Sequence, residues 1–439
     1  MEDSQKKILG LVSVSQDIID QLKESSKTNA GFAENIKSHL SQSTTSLFDV
    51  IISGAIFLGS SDIHLEPEKE RAKLRVRIDG VLQDTIFFEN QIYHNLLSRI
   101  KLLSKIKLNV EAKPQDGRFT VALEKKVIEI RTSTLPSEFG ESVVMRILNP
   151  ENFMTLESLG IRSDLFKIME KEIKRPNGMI VVTGPTGAGK TTTLYAFLEK
   201  IQDSEIKIIT IEDPIEYHVE GISQTQVEKE KGYGFSDGLK SIVRQDPDVI
   251  LVGEIRDLET AKISLQASLT GHLVLTTMHT NDASGAVPRL VDLGAKPTSV
   301  APALKMIIAQ RLVRRVCQKC STKMTPTKEE LSELEKGLKG VSKDIIGVKD
   351  FSKIKIAKVS ENGCQDCNLT GYKGRLGLYE ILLVDSDMEK FILEEPATSL
   401  IKEKAIKNGM ITIYQSGLIE IALGHTTIQE VKKVVGEDE

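Results

Sequence analysis

The chain is 439 residues long, room for about three domains of ordinary size, and 40% of it is hydrophobic, so it can bury at least one substantial core. Lys plus Arg number 58 against 62 Asp plus Glu, a net charge of -4, which leaves no global cationic footprint for nucleic acid while still allowing a local basic patch. The start, MEDSQKKILG, lacks the pattern of a secretion signal, and no run reaches the roughly 18 apolar residues needed to span a bilayer. These features predict a cytoplasmic chain, at most peripheral to a membrane.

Residues 1–45 are rich in Ser, Lys, Gln and Asn with patchy helical periodicity, and read as a short helical stub or arm. From SLFDVIISGAIF onward an amphipathic helix gives way to alternating strands. In KLRVRIDGVLQDTIFF, Leu74, Val76 and Ile78 face one way and Arg75 and Arg77 the other, with Asp79-Gly80 at the turn of a hairpin. KVIEIRTSTLP alternates similarly, so residues 46–150 form an α+β domain. After the linker-like NPENFMTLESLG come four nearly continuous apolar strands, MIVVT, KIITI, DVILV and LVLTT, alternating with helical stretches. That pattern predicts an α/β domain over residues 151–439 whose sheet is covered on both faces. Beyond Pro302 lie a basic stretch, KMIIAQRLVRRVCQKC, and a charged helical insert. Helices follow over residues 385–439, with Thr427 and Glu430 spaced as a capping box.

GPTGAGKTTT follows the strand MIVVT and precedes a helix, the setting that a phosphate-binding loop requires. The small residues Gly184, Pro185, Thr186, Gly187, Ala188 and Gly189 let backbone N–H groups wrap phosphate oxygens, and the helix N-terminus adds its positive dipole end. Lys190 is placed to reach the β and γ phosphates of ATP, Thr191 to hold magnesium through its hydroxyl, and Thr192 to continue the cradle. The bland alternative is a glycine-rich turn that binds nothing. Acidic residues at neighbouring strand ends fit a hydrolytic site, with Glu212 ending one strand and Glu254 another, although both could merely cap the loops that follow. Gly253 occupies the strand-end position where a magnesium-binding Asp is common in such folds, so the metal falls to Thr191 and waters.

GHLVLTTMHTND carries His272 and His279 at either end of an apolar run, which leaves a metal pair, core packing and a phosphate sensor to choose among. Their odd separation puts them on opposite faces of a strand, poor geometry for a shared metal. His279 then emerges beside the phosphate site, and His272 at the strand's start is a structural or neighbour contact as readily as a functional one. The four cysteines form two Cys-x-x-Cys pairs, Cys317/Cys320 and Cys364/Cys367, a set of four soft thiolates suited to a tetrahedral zinc site within an insert over residues 312–375. Redox pairs or unligated thiols are the alternatives.

Taken in order, GPTGAGKTTTLY, TIEDPIEY, LVGEIRD and GHLVLTTMHTNDA resemble the Walker A, Asp, atypical Walker B and His boxes of the type II secretion and type IV pilus assembly ATPases. SDIHLEP, RVRIDGVL, PQDGRF and IRTSTLPSEFGESVVMRIL resemble that family's N-terminal domain, and GCQDCNLTGYKGRLGLYE its zinc-binding insert. The resemblance runs from about residue 46 to the end. Ala188 stands where the family commonly has Ser.

The resemblance implies a PAS-like domain followed by a RecA-like ATPase core, assembled as a homo-hexamer with nucleotide in the cleft between the domains. It implies that Arg118 and Arg131 reach the phosphates on closure as planar cations. Glu254, assisted by Glu212, is expected to orient the attacking water, with the reverse assignment as the alternative. The resemblance also implies as partners an inner-membrane platform protein and a docking protein at the cytoplasmic face of the secretion or pilus machine. The segment before residue 46 is shorter than the extra N-terminal domain through which many secretion members dock. The rival reading is a RecA-like nucleic-acid motor of conjugation or DNA-uptake type, against which the net charge and the lack of basic stripes interleaved with aromatics count. A nucleotide-binding scaffold without turnover fits less well, because every acidic box is intact.

Overall fold

The structure is a computed structural model that describes residues 10–124, 126–150, 154–347 and 350–436. The chain divides into two compact units. One comprises Met1–Asn152 with Cys317–Cys320 and Ser360–Lys373, and the other the remainder.

In the first unit the elements run β1 (Leu11–Ser13), α1 (Gln16–Ser25), α2 (Asn29–His39), α3 (Thr44–Phe57), β2 (Asp62–Pro67), β3 (Arg71–Ile78), β4 (Val81–Glu89), α4 (Asn90–Leu103), β5 (Gln115–Leu123), β6 (Lys126–Ser137) and β7 (Gly140–Leu148). The strands form one sheet in the order β1-β5-β6-β7-β2-β3-β4, antiparallel except where β1 joins β5. Strict alternation in β3 buries Ala72, Leu74, Val76 and Ile78, and Asp79 (φ 49°) and Gly80 (φ 83°) close the hairpin to β4 in the left-handed conformations that a tight turn demands. α3 is apolar nearly all round because α1, α2 and α4 all pack against it. Gly54 is what admits α2 so closely, since a Cβ there would lie 2.4 Å from the Phe32 ring. Of the stretch before residue 46, the described part is packed: Val12, Leu22, Phe32 and Ile36 belong to the same core as α3 and the sheet.

The second unit continues with α5 (Ser163–Glu172), β8 (Gly178–Thr183), α6 (Lys190–Ile201), β9 (Ile208–Glu212), β10 (Ser223–Gln226), α7 (Phe235–Val243), β11 (Val249–Val252), α8 (Leu258–Leu269), β12 (Leu273–Met278), α9 (Ala286–Asp292), α10 (Pro297–Ala303) and β13 (Leu304–Val316). After these come β14 (Thr322–Met324), α11 (Lys328–Gly337), α12 (Lys343–Ile346), β15 (Ile356–Lys358), β16 (Tyr372–Leu383), α13 (Ser386–Glu394), α14 (Thr398–Lys407), α15 (Ile413–Ala422) and α16 (Ile428–Val435). The main sheet has the order β10-β9-β11-β12-β8-β13-β16 and is parallel from β10 through β13. Every residue of β8, β9, β11 and β12 is buried, and alternate residues feed two separate cores: Met179 and Val181 on one face, Ile180 and Val182 on the other.

Three features differ from the sequence reading. The basic stretch after Pro302 enters the sheet as β13, its apolar residues Met306–Ala309 buried beside β8 and its arginines clustered toward the far end. The insert between the cysteine pairs is not helical throughout: β14 and β15 form a small antiparallel pair, and α11 and α12 share a core with α15 and α16. Thr427 caps α16 by accepting from the Glu430 N–H, but the Glu430 carboxylate is engaged by Arg314 at 2.6–3.1 Å in place of the expected capping box. Among the described residues no helix is long and apolar enough to cross a membrane.

Candidate functional site

β8 delivers the chain into the loop Gly184–Gly189, and α6 begins at Lys190. Glycine is required at both ends of this loop. A Cβ on Gly184 (φ 148°) would lie 2.5 Å from the Gln310 carbonyl, and one on Gly189 (φ 85°) 2.9 Å from the Gln310 side-chain nitrogen. Gly187 has open space around it, Pro185, Thr186 and Gly187 are exposed, and Ala188 is buried. Lys190 is 9% exposed, and its ammonium donates to the Gly184 and Pro185 carbonyls at 2.8 and 3.1 Å. Burial pulls its pKa down to about 8; the Glu254 charge opposes that shift and Arg311 adds to it. Thr191 is exposed on the first turn of α6, Thr192 partly so, and the Thr193 hydroxyl is tied to Gln310 at 2.8 Å.

The two carboxylates expected at strand ends have different surroundings. Glu212 ends β9 almost fully buried, accepting from the Tyr195 and Thr210 hydroxyls at 2.7 Å each and from Gln224 at 3.5 Å. Its burial raises its pKa, against the pull of those donors. Glu254 lies just past β11 with its side chain 13% exposed, paired with Arg256 at 2.6 Å and 3.6 Å from His279 Nε2. A Cβ at Gly253 would come within 3.3 Å of the Ile211 carbonyl and Glu212 Cα, a physical reason for glycine where an aspartate is common. The tips of β9, β11 and β12 are stitched together: Gly253 N–H donates to Ile211, Thr277 hydroxyl to the Gly253 carbonyl, and Ile255 N–H to Thr277.

The two histidines part company. His279 leaves the end of β12 half-exposed, with its pKa lowered first by desolvation and then by the Lys190 charge, so it is neutral at pH 7. His272 precedes the other end of β12 and bonds the Ala267 carbonyl through Nδ1 at 2.9 Å. The structure therefore brings Lys190, Glu254 and His279 to one place and leaves His272 outside it. Gln310 and Arg311 also border the loop, and neither was singled out from the sequence; Arg311 Nη1 lies 3.1 Å from where a Gly184 Cβ would be. The parallel pairing of β13 with β8 puts them there, and a buried apolar run ending in Gln-Arg was the available signal.

In the N-terminal unit, strand register sets Arg118 directly opposite Arg131, Arg131 opposite Arg146, Arg146 opposite Asp62 and Asp62 opposite Arg77. Four guanidinium groups and one carboxylate thus form a row across five strands, on the face away from the apolar core. Like charges directly opposite each other destabilise a sheet. Asp62, its side chain 4% exposed, pairs with Arg77 and Arg146 at 3.2 and 3.0 Å, while Glu129 lies 3.9 Å from Arg118 and 3.7 Å from Arg131. The arrangement is cationic in excess of its acids, as an anion-binding face is. Arg146 and Arg77 joined it only once the register was known.

The four cysteine sulfurs lie within 4.8 Å of one another. The Cys317–Cys364 and Cys320–Cys367 separations are 3.8 Å and Cys364–Cys367 is 3.7 Å. A tetrahedron with metal–sulfur bonds of about 2.3 Å has edges of about 3.8 Å, so the donor set fits one tetrahedral ion. The Cys364 and Gly371 N–H groups donate to Cys367 Sγ at 3.1 and 3.2 Å, which stabilises a thiolate there.

Residues 38–433 match the family model for type II/IV secretion system proteins. The chain is 41% identical over 392 residues to the type II secretion system ATPase E of Vibrio cholerae, covering 89% of this chain and 75% of that one. It is 40% identical over 397 residues to the type IV pilus assembly ATPase TfpB of Acinetobacter baylyi, covering 90% and 66%. Among solved structures it is similar to the Legionella pneumophila ATPase DotB, with a TM-score of 0.65 at 20% identity over 90% of this chain and 96% of that one. The pilus retraction motor PilT with bound ADP superposes with a TM-score of 0.58 at 26% identity, covering 89% and 96%.

Proposed function

The chain belongs to the type II/IV secretion system protein family and is an ATPase, and from that premise we propose that it is a homo-hexameric motor whose ATP hydrolysis drives assembly of a type IV pilus or a type II secretion pseudopilus through an inner-membrane platform protein. The pilus and secretion relatives match over similar lengths at nearly equal identity, so both filaments remain within the proposal. The observation that carries the enzymatic part is the convergence of Lys190, Glu254 and His279 beside the glycine loop. We read the second unit as RecA-like and the first as PAS-like.

The loop Gly184–Gly189 and the N-terminus of α6 cradle the phosphate chain, and Lys190 neutralises charge on the β and γ groups. Thr191 would hold magnesium through its hydroxyl, and the ion would supply electrophilic stabilisation of phosphate charge. Glu254 orients and deprotonates the attacking water, and neutral His279 hydrogen-bonds at the γ phosphate. Glu212 acts from behind, holding α6 to β9 through Tyr195. Arg118 and Arg131, with Arg146 beside them, are the cations assigned to charge spreading on the γ phosphate. The tetracysteine cluster is assigned to one structural zinc.

Lys190→Ala is expected to remove ATP binding and turnover together, and light scattering of the wild type with a nonhydrolysable ATP analogue to give six times the chain mass. Metal analysis should return one zinc per chain. Tight, salt-sensitive binding of single-stranded DNA that stimulates ATPase activity would transfer the assignment to a nucleic-acid motor.

A further inference from the structure

One buried carboxylate has no part in the mechanism above. Glu380, in β16, is 1% exposed, and each of its oxygens accepts a backbone N–H from a different element: Oε1 from Ala283 at 2.8 Å and Oε2 from Ile413 at 3.0 Å. Ala283 lies in the loop that carries His279, and Ile413 is the first residue of α15. The stem of the His279 loop is fastened at two further points. The Thr280 N–H donates to the Thr183 hydroxyl at 2.8 Å, and Arg311 Nη2 donates to the Asn281 carbonyl at 2.7 Å. Three strands, β8, β13 and β16, therefore each hold one backbone group of this loop. Thr183 ends the strand that feeds the glycine loop and Arg311 borders Gly184, so two of the fastenings refer the loop to the phosphate site. Glu380 refers it instead to the C-terminal helices.

A carboxylate is the side chain this task requires. Two convergent N–H donors need two acceptor oxygens, and an amide N–H left without one in a buried site is costly. Gln would turn its NH2 group toward one donor, and Asp, one methylene shorter, cannot span both.

We propose that Glu380 is a positioning residue for hydrolysis: it fixes the loop carrying His279 and joins that loop to the N-terminus of α15, so that any displacement of His279 displaces α15 with it. The proposal rests on the reading that His279 works at the γ phosphate. A carboxylate that only stabilised the fold would affect nucleotide binding and turnover alike; one that places His279 affects turnover.

The test uses the full chain and measures kcat together with the Kd of a nonhydrolysable ATP analogue. Glu380→Gln is expected to lower kcat about tenfold or more while the Kd stays within about twofold. His279→Ala should lower kcat as well, and the double variant should be no slower than His279→Ala alone, since residues acting through one another are not additive. Amide exchange should quicken at Ala283 and Ile413 together in Glu380→Gln. If that variant does not fold, Glu380→Asp replaces it with the same expected split. Normal turnover in the Glu380 variant, parallel loss of binding and turnover, or multiplicative effects in the double variant overturn the proposal. Normal turnover in His279→Ala overturns the underlying site reading instead.

Discussion

The tips of β9 and β11 carry the same signal in sequence, an acidic residue ending a buried apolar strand, yet they differ in every physical respect that matters for chemistry. Glu212 is enclosed and satisfied by two hydroxyls at 2.7 Å, with burial raising its pKa. Glu254 is partly open and held by Arg256 at 2.6 Å, with Lys190 and His279 as electrostatic neighbours. A carboxylate whose acceptor capacity is already used on its own fold has little left for a water molecule. One beside cations and partly open to solvent keeps acceptor capacity for a water molecule. The strand end supplies a position, and the neighbouring side chains decide its use.

The largest expected effect breaks the comparison at its reactive member. Glu254→Gln keeps shape and removes the proposed base, so kcat should fall about 10²–10⁴-fold, with the Kd of a nonhydrolysable analogue nearly unchanged when it is measured well below the pH at which Lys190 loses its proton. Single-turnover hydrolysis against analogue titration checks this, and turnover near the wild-type rate would move the water activator elsewhere.

A smaller effect sharpens the other member. Glu212→Gln retains one acceptor for Tyr195 and Thr210, and is expected to shift stability by about 1–3 kcal/mol in denaturant unfolding while lowering kcat far less than the Glu254 change. The pH dependence adds a sign. Because the native pKa of Glu212 is raised, the native state binds its proton more tightly than the unfolded chain does. The stability tied to this group is therefore greatest at low pH and declines as pH rises from the ordinary carboxylate value through the raised one. Glu212→Gln should flatten that part of the stability profile. A steeper profile in the variant would contradict the sealed environment.

What the sequence made legible follows from the same contrast. The four apolar strands, the Asp79-Gly80 hairpin, the glycine loop set between a strand and a helix, and the clustering of four cysteines all depend on local pattern or short spacing, and each is present. The features that were not legible depend on which strands lie side by side. β13 reads as a basic stretch because Arg311, Arg314 and Arg315 dominate its composition, although its apolar half sits between β8 and β16. The row Arg118–Arg131–Arg146–Asp62–Arg77 is spread over five strands, and only their register aligns it. Glu430 has the spacing of a helix cap, but Arg314 from β13 engages its carboxylate. Glu212 and Glu254 belong to both groups: their positions were visible, their surroundings were not.

The smallest expected effect titrates the cation beside Glu254. Lys190 has a pKa of about 8, chiefly because its ammonium is desolvated. Phosphate binding favours the charged form, so the complex holds this proton more tightly than the free site. Nucleotide binding then takes up a proton once the pH passes about 8, and affinity should weaken above that pH by at most about tenfold per unit. Calorimetry in buffers of different ionisation enthalpy measures the uptake directly. Glu254→Gln removes the charge that supports the ammonium, which should lower the Lys190 pKa and move the onset of weakening to lower pH. Glu212 is not among the charges that set the Lys190 pKa, so Glu212→Gln should leave that onset in place. An onset that moves equally in both variants would mean that the two strand tips share one electrostatic environment.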